Sequence, residues 1–311
     1  MSKVVAIAMN PSIDKTITIP SLIPYGLNRV NTSRVDPGGK GVNVAKVLND
    51  FGIDVTISGL IAGNQGDALT EFITKLGIEI DFLKIDGETR TNLKIVDESV
   101  NKTTEINETG FLVSSEAIEQ FNKKYAELIK QSTLVVLSGS LPPGVPNDFY
   151  AKCILTAKTN GVKVLLDADG QALSEGIKAV PFAVKPNIHE LETLYNCKLE
   201  NISEIVDAAK KLIELGISIV IISMGADGAI VLDKNEAFKV DTWDIPVKST
   251  VGAGDSMVGA LAYAIINNCS LYEIAKITTA AGTVTASKEG TQLCTLNEVL
   301  QSLDNVKITK L

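Results

Sequence analysis

Residues 249–260 read STVGAGDSMVGA, a loop that runs into an almost wholly apolar stretch. Gly252 and Gly254 bring bare backbone amides to what the pattern marks as a helix start. Such a start attracts anions, because its N–H groups lack partners and its dipole is positive. Asp255 puts a carboxylate in the same place. Two roles suit it: a helix cap, which is common, or a base that takes a proton from a hydroxyl while the neighbouring amides hold a phosphoryl group in transfer. The helix start is expected to favour its ionised form.

A second glycine loop, DPGGKGVNVAKVL, spans residues 36–48. Gly38, Gly39 and Gly41 permit close backbone approach and Lys40 adds a positive charge, which makes either an anion seat or a glycine turn packed on a strand. It is not a Walker A loop, because Arg34 stands where glycine is required and Gly41 where Ser or Thr is required. In SMGADGA, Gly225 and Gly228 follow a buried-type run, and Asp227-Gly228 also suits a hairpin turn. In KPNIHEL, residues 185–191, Asn187 and Glu190 have the spacing of a capping box. Glu190 equally suits a magnesium ion met through water. His189, the only histidine, reads as a surface or packing residue. Arg29, Arg34, Arg90 and Lys94 are either solvated or a grip for a phosphorylated substrate. Asp14 in NPSIDKT either ends a turn or, at the carboxyl end of the first strand, accepts hydrogen bonds from sugar hydroxyls.

The elements that must position these residues follow from short apolar runs at Val4, Val55, Leu134, Val162, Phe182 and Ile219, with helical periodicity between them. Runs of this kind suit strands buried on both faces of a mostly parallel sheet, with Gly52 and Gly216 stopping two of the helices. Residues 15–35 and 88–108 instead alternate polar and apolar residues and predict half-exposed antiparallel strands, a small sheet that could act as a lid or a dimer contact. The chain has 311 residues, 45% hydrophobic, which can fill a sizeable core. A net charge of −8 argues against a nucleic-acid partner, and no apolar run reaches membrane-spanning length. Cys153, Cys197, Cys269 and Cys294 lack metal-site spacing and read as reduced core thiols, and the opening run is too brief for a signal segment, so a cytoplasmic location is expected.

Taken together, the motifs resemble the PfkB family of the ribokinase-like superfamily. PGGKGVNVA is similar to its first signature and STVGAGDSMVGA to its second, with NPSID and KPNIHELE in the expected order. The resemblance implies an α/β fold with a three-layer core and a small β lid. The core would comprise residues 1–14, 36–87 and 109–311, and the lid residues 15–35 and 88–108. It further implies transfer of the γ-phosphoryl group of ATP, with Mg²⁺, to a sugar hydroxyl. By position, Asp255 would be the base, and Gly252, Ala253 and Gly254 the anion hole. Asp14, Gly38, Gly39, Lys40 and Asn43 would surround the sugar, with Arg90 on its phosphate, Ser138 close by and Arg29 reaching a neighbouring subunit's site. Lys185, Asn187, Ser223, Gly225, Gly228 and Thr250 are similar to nucleotide-side positions, and Glu190 to the magnesium-associated glutamate. NPSID, and STV before GAGD, resemble the sugar-phosphate branch of the family. That branch implies a ketohexose phosphate substrate, fructose 1-phosphate first and tagatose 6-phosphate or fructose 6-phosphate as alternatives, and a homodimer through the lid. Residues 278–291 match no sharp pattern.

Two rival classes remain on the sequence. A dinucleotide-dependent oxidoreductase is disfavoured because the first strand-to-helix turn lacks G-x-G-x-x-G. A sugar-phosphate sensor without turnover is disfavoured by the retention of Asp255 and its glycine loop.

Overall fold

The strand Val4–Ala8 (β1) shows why the molecule is layered. Its sequence, VVAIA, is buried throughout and sends Val4, Ala6 and Ala8 into one apolar core and Val5 and Ile7 into another on the opposite face of the sheet. The computed structural model describes residues 3–311. After β1 come Ser12–Ile19 (β2), Thr32–Gly38 (β3), Val55–Ala62 (β4), Glu79–Ile85 (β5), Arg90–Asp97 (β6) and Lys102–Asn107 (β7). The rest are Leu134–Ser138 (β8), Lys163–Asp167 (β9), Ala183–Val184 (β10), Ile219–Ser223 (β11), Ala229–Leu232 (β12), Ala237–Asp241 (β13) and Lys307–Lys310 (β14).

Ten strands form the main sheet in the order β14-β13-β12-β11-β10-β9-β8-β1-β4-β5. Pairing is parallel from β11 through to β5 and antiparallel across β11, β12, β13 and β14. This is the expected mostly parallel α/β sheet with helices on both faces. The antiparallel extension was not legible, because β13 and β14 are short and partly exposed. Helix ends follow the glycines as expected: Gly52 and Gly216 adopt positive φ just past helices Lys40–Asp50 and Ile202–Glu214.

The second sheet has the order β3-β2-β6-β7. The expectation of antiparallel strands is corrected in one respect. β2–β3 and β6–β7 are antiparallel hairpins, but β2 and β6 pair in parallel. The reason is that the two excursions leave the core in the same direction and lie side by side. Asp14 also differs from expectation: it lies within β2, in the small sheet, rather than at the end of a core strand. At the sheet's base, Arg34 Nε and Thr291 Oγ1 both donate to Asp36 Oδ2 at 2.7 Å, tying β3 to a loop near the C-terminus.

All four cysteines are unpaired. Cys153 and Cys294 are buried and Cys269 is half-buried. Cys197 departs from the expected core thiol, since it sits exposed in the loop after helix Ile188–Tyr195. Among the described residues, no helix is long and apolar enough to cross a membrane.

Candidate active site

A cleft of about 1150 Å³ opens between the carboxyl ends of the parallel strands and the small sheet. This is where ligands enter open α/β sheets. Two helices begin in it. Helix Lys40–Asp50 has Gly39 as its N-cap at φ 95°, helix Ala253–Ile266 has Gly252 at φ 76°, and neither has a side-chain cap. Glycine suits both junctions because other residues disfavour positive φ. Only Gly39 separates β3 from helix Lys40–Asp50.

Ala253 departs from the expected amide cradle. Its N–H closes a turn onto the Thr250 carbonyl at 3.3 Å. Among the described residues, no protein acceptor takes the amides of Gly252, Gly254 or Asp255.

Asp255 is 8% exposed and lies in the first turn of its helix. The Asn43 side-chain amide donates to its Oδ2 at 2.8 Å. Asn43, expected around the sugar, therefore also orients the expected base. Burial, followed by the charge of Asp167, pushes the Asp255 carboxyl up to about 6, against the pull of Asn43, Lys40 and Lys185. The net shift thus runs opposite to the ionisation expected from the helix start, and its largest cause is desolvation.

Asp167 ends β9 and is buried on the cleft floor. Its Oδ1 lies 3.3 Å from Lys185 Nζ and its Oδ2 lies 3.9 Å from Lys40 Nζ, while Ser138 Oγ donates to Oδ2 at 3.1 Å. Burial alone would raise its pKa, but Lys185, Lys40 and the donated hydrogen bonds hold it below the usual carboxylate range. Lys40 is correspondingly pushed above the ordinary lysine value, chiefly by Asp167. Sequence reasoning missed Asp167. A signal was present, because a carboxylate at the carboxyl end of a buried strand in VKVLLDAD faces the ligand crevice.

On the small sheet, Asp14 is enclosed. Ser12 Oγ donates to it at 2.7 Å, Asn92 Nδ2 at 3.1 Å and Lys94 Nζ at 2.6 Å. Gly38 abuts the same carboxylate, and a Cβ there would lie 2.3 Å from Asp14 Cγ. Lys94, anticipated as a possible grip for a phosphorylated substrate, is instead buried against Asp14, and Asn92 beside it on β6 was not anticipated, because one amide in a polar strand carries no local signal. Arg90 lines the cleft from the start of β6, with Nε and Nη1 donating to the carbonyls of Asn10 and Glu108 at 3.1 and 3.2 Å. Arg29 is exposed in the β2–β3 loop and does not line this cleft.

Lys185, Asn187, Ser223, Gly225, Gly228 and Thr250 line the opposite end. Gly225 and Gly228 also form the turn between antiparallel β11 and β12, so the hairpin reading holds alongside the cleft position. Asn187 and Glu190 form the full capping box: Glu190 N donates to Asn187 Oδ1 at 2.9 Å, and Asn187 N to Glu190 Oε2 at 2.8 Å. The box leaves Oε1 of Glu190 uncommitted at the cleft wall, and burial pushes the carboxyl above its ordinary range. Among the described residues, no three His, Cys, Asp or Glu groups converge as a metal cage. One uncommitted carboxylate oxygen on the cleft wall fits a hydrated Mg²⁺, which uses few protein ligands. His189 is exposed. Beyond Thr250, the apolar end is lined by Trp243, Ile245, Val247 and Met257 together with Thr279, Gly282, Thr283 and Ala286. The segment without a sharp pattern thus contributes the small residues of a buried helix.

Uncapped helix starts, lysines and a buried carboxylate around one crevice define a phosphotransferase-type α/β enzyme. The model of the pfkB family carbohydrate kinases matches residues 7–298, and the chain belongs to that family. It is 36% identical over 303 residues to the 1-phosphofructokinase of Borreliella burgdorferi, covering 97% of each chain. It is 34% identical over 286 residues to that of Escherichia coli strain K12, covering 92% of this chain and 91% of the relative. Among solved structures, phosphofructokinase-2 from Escherichia coli in complex with substrates and products is similar at a TM-score of 0.93 and 28% identity, covering 98% of this chain and 99% of the other. This chain is an ATP-dependent carbohydrate kinase.

Proposed function

We propose that the enzyme transfers the γ-phosphoryl group of ATP to the 6-hydroxyl of fructose 1-phosphate, giving fructose 1,6-bisphosphate and ADP. The observation that carries the mechanism is the buried Asp255 carboxylate, held by Asn43 beside three amides without protein partners. In this reading Asp255 takes the hydroxyl proton as the new O–P bond forms and the bond to the ADP oxygen breaks. The amides of Gly252, Gly254 and Asp255 meet the charge on the phosphoryl oxygens, where fixed dipoles need no reorganisation. Lys40 and Lys185 add two cations on either side. Magnesium, when bound, would shield phosphate charge, and Glu190 is the residue suited to hold it through water. Because the base must be ionised, kcat/KM should fall as pH drops below about 6, the value to which the Asp255 carboxyl is raised. A pH–rate profile flat down to pH 5 would remove Asp255 from this role.

The sugar reading rests on Arg90, with Lys94 and Asp14 nearby on the small sheet, and on the names of the curated relatives. Arg90→Ala should raise KM for the phosphorylated sugar by about 10- to 100-fold, the worth of a charge-assisted contact, with a smaller change in kcat. An unchanged KM would put the substrate phosphate elsewhere. The decisive assay couples ADP release to fructose 1-phosphate, fructose 6-phosphate, tagatose 6-phosphate and unphosphorylated sugars in turn. The highest kcat/KM with fructose 1-phosphate is expected. Preference for either 6-phosphate would keep the kinase and change its substrate, and preference for a free sugar would overturn the reading.

The β2–β3 loop exposes Ile23, Tyr25, Leu27 and Val30, and neighbouring strands expose Val35 and Ile106. This surface supports a homodimer through the small sheet, with Arg29 reaching the second copy's cleft. Sedimentation of Leu27→Glu should reveal a monomer where the parent is a dimer; equal sedimentation of the two would sink the interface. A cytoplasmic location suits an ATP-using enzyme with four unpaired cysteines, and cell fractionation tests it.

A further inference from the structure

We propose that Asp167 is a positioning residue for phosphoryl transfer, holding the ammonium groups of Lys40 and Lys185 as a pair across the cleft floor. The proposal rests on the kinase reading above. Lys40 opens helix Lys40–Asp50 on the sugar side, whereas Lys185 follows β10 on the nucleotide side. Nothing in their backbones obliges the two charges to stay together. Among the described residues, Asp167 is the only carboxylate in ion-pair contact with either lysine. Its oxygens are divided between them, Oδ1 toward Lys185 and Oδ2 toward Lys40, and the Ser138 hydroxyl on Oδ2 fixes the rotamer.

The carboxylate is only 2% exposed and its oxygens are engaged by the two lysines and Ser138, so in this reading it acts through the lysines. Lys185 in turn lies against the amide cradle, since a Cβ built on Gly254 would sit 3.5 Å from its Nζ. A phosphoryl group leaving the nucleotide and arriving at the sugar therefore passes cations already in place, and no charge must move during the step. Without Asp167, the buried Lys185 and the partly exposed Lys40 lose the carboxylate they share, and each gains by swinging toward water.

The test is a set of steady-state kinetics on Asp167→Asn, Lys40→Met, Lys185→Met and their combinations. Asp167→Asn should lower kcat by about 100-fold, with KM for ATP and sugar phosphate within about threefold of the parent, because only the transition state needs the paired cations. Added to Lys40→Met/Lys185→Met, the same substitution should cost less than about threefold more, since the carboxylate then has nothing left to hold. An equal loss in both backgrounds, or a loss confined to KM, would overturn the proposal. Should Asp167→Asn fail to fold, the two lysine variants carry the test: losses that are not additive support a pair, and additive losses refute it. Parent enzyme without turnover of any sugar phosphate would instead sink the functional reading, whereas an active parent with additive variants sinks only the role of Asp167.

Discussion

Asp255→Asn should lower kcat by about 100- to 10,000-fold, the usual worth of a positioned general base, while ATP still binds. The amide cannot take the hydroxyl proton, yet it has nearly the same shape and can still accept from Asn43. A second readout separates this role from a structural one. The native carboxyl is raised from 3.8 to about 6, so ionised Asp255 is strained in the folded state. The sign follows directly. A raised folded pKa means that the proton stabilises the fold, and that contribution is lost as pH rises through about 6. At pH 7 the cost amounts to about 3 kcal/mol by linkage. The asparagine variant escapes it and should melt several degrees higher than the parent at pH 7. The gap should narrow below pH 6 and vanish below the ordinary carboxylate value of 3.8. An active variant, or one that is less stable at pH 7, would contradict the assignment.

Gly252→Ala should cost about 100- to 1,000-fold in kcat, the loss expected when a donor to a developing charge is misdirected. Gly252 sits at φ 76°, where an L residue is strained by about 1–2 kcal/mol. A Cβ there would also lie 2.5 Å from Leu293 Cδ2. That contact is with the end of a flexible side chain, which can move, whereas the backbone strain cannot be relieved without turning the amides of Gly252 and Gly254. The double variant Gly252→Ala/Leu293→Ala distinguishes the two. It should remain as slow as the single variant. Full recovery would mean that the side-chain clash, and not the direction of the amides, had been limiting.

Much of this site was legible because its chemistry lies in glycine loops, which are written locally. Gly39 and Gly252 occupy the positive-φ junctions that their loops demand, and Asn187 and Glu190 form the box that their spacing anticipates. The buried parallel strands were equally plain, since each is a run of apolar residues bounded by a turn. What escaped depends on tertiary pairing. Asn92 reaches Asp14 only because β6 lies beside β2, and the same pairing turns Lys94 from a free cation into the partner of that carboxylate. Asp167 gains meaning from Lys40 and Lys185, which lie far from it in the chain. β13 and β14 each carry charged residues among their apolar ones and so lack the continuous apolar run that marks the core strands, and their pairing brings residues 237–241 against 307–310.

The junction at Gly39 limits how this enzyme can be recombined with its relatives. The β2–β3 hairpin of the small sheet ends at Gly38, and Lys40 already opens the helix that carries Asn43 to Asp255. One residue leaves no slack for a splice, and the Asp36–Thr291 clasp fastens the same strand to a segment near the other end of the chain. A chimera that imports a foreign small sheet must therefore import the helix and the matching C-terminal loop with it, so the molecule is inherited as one piece even though it is built from two sheets.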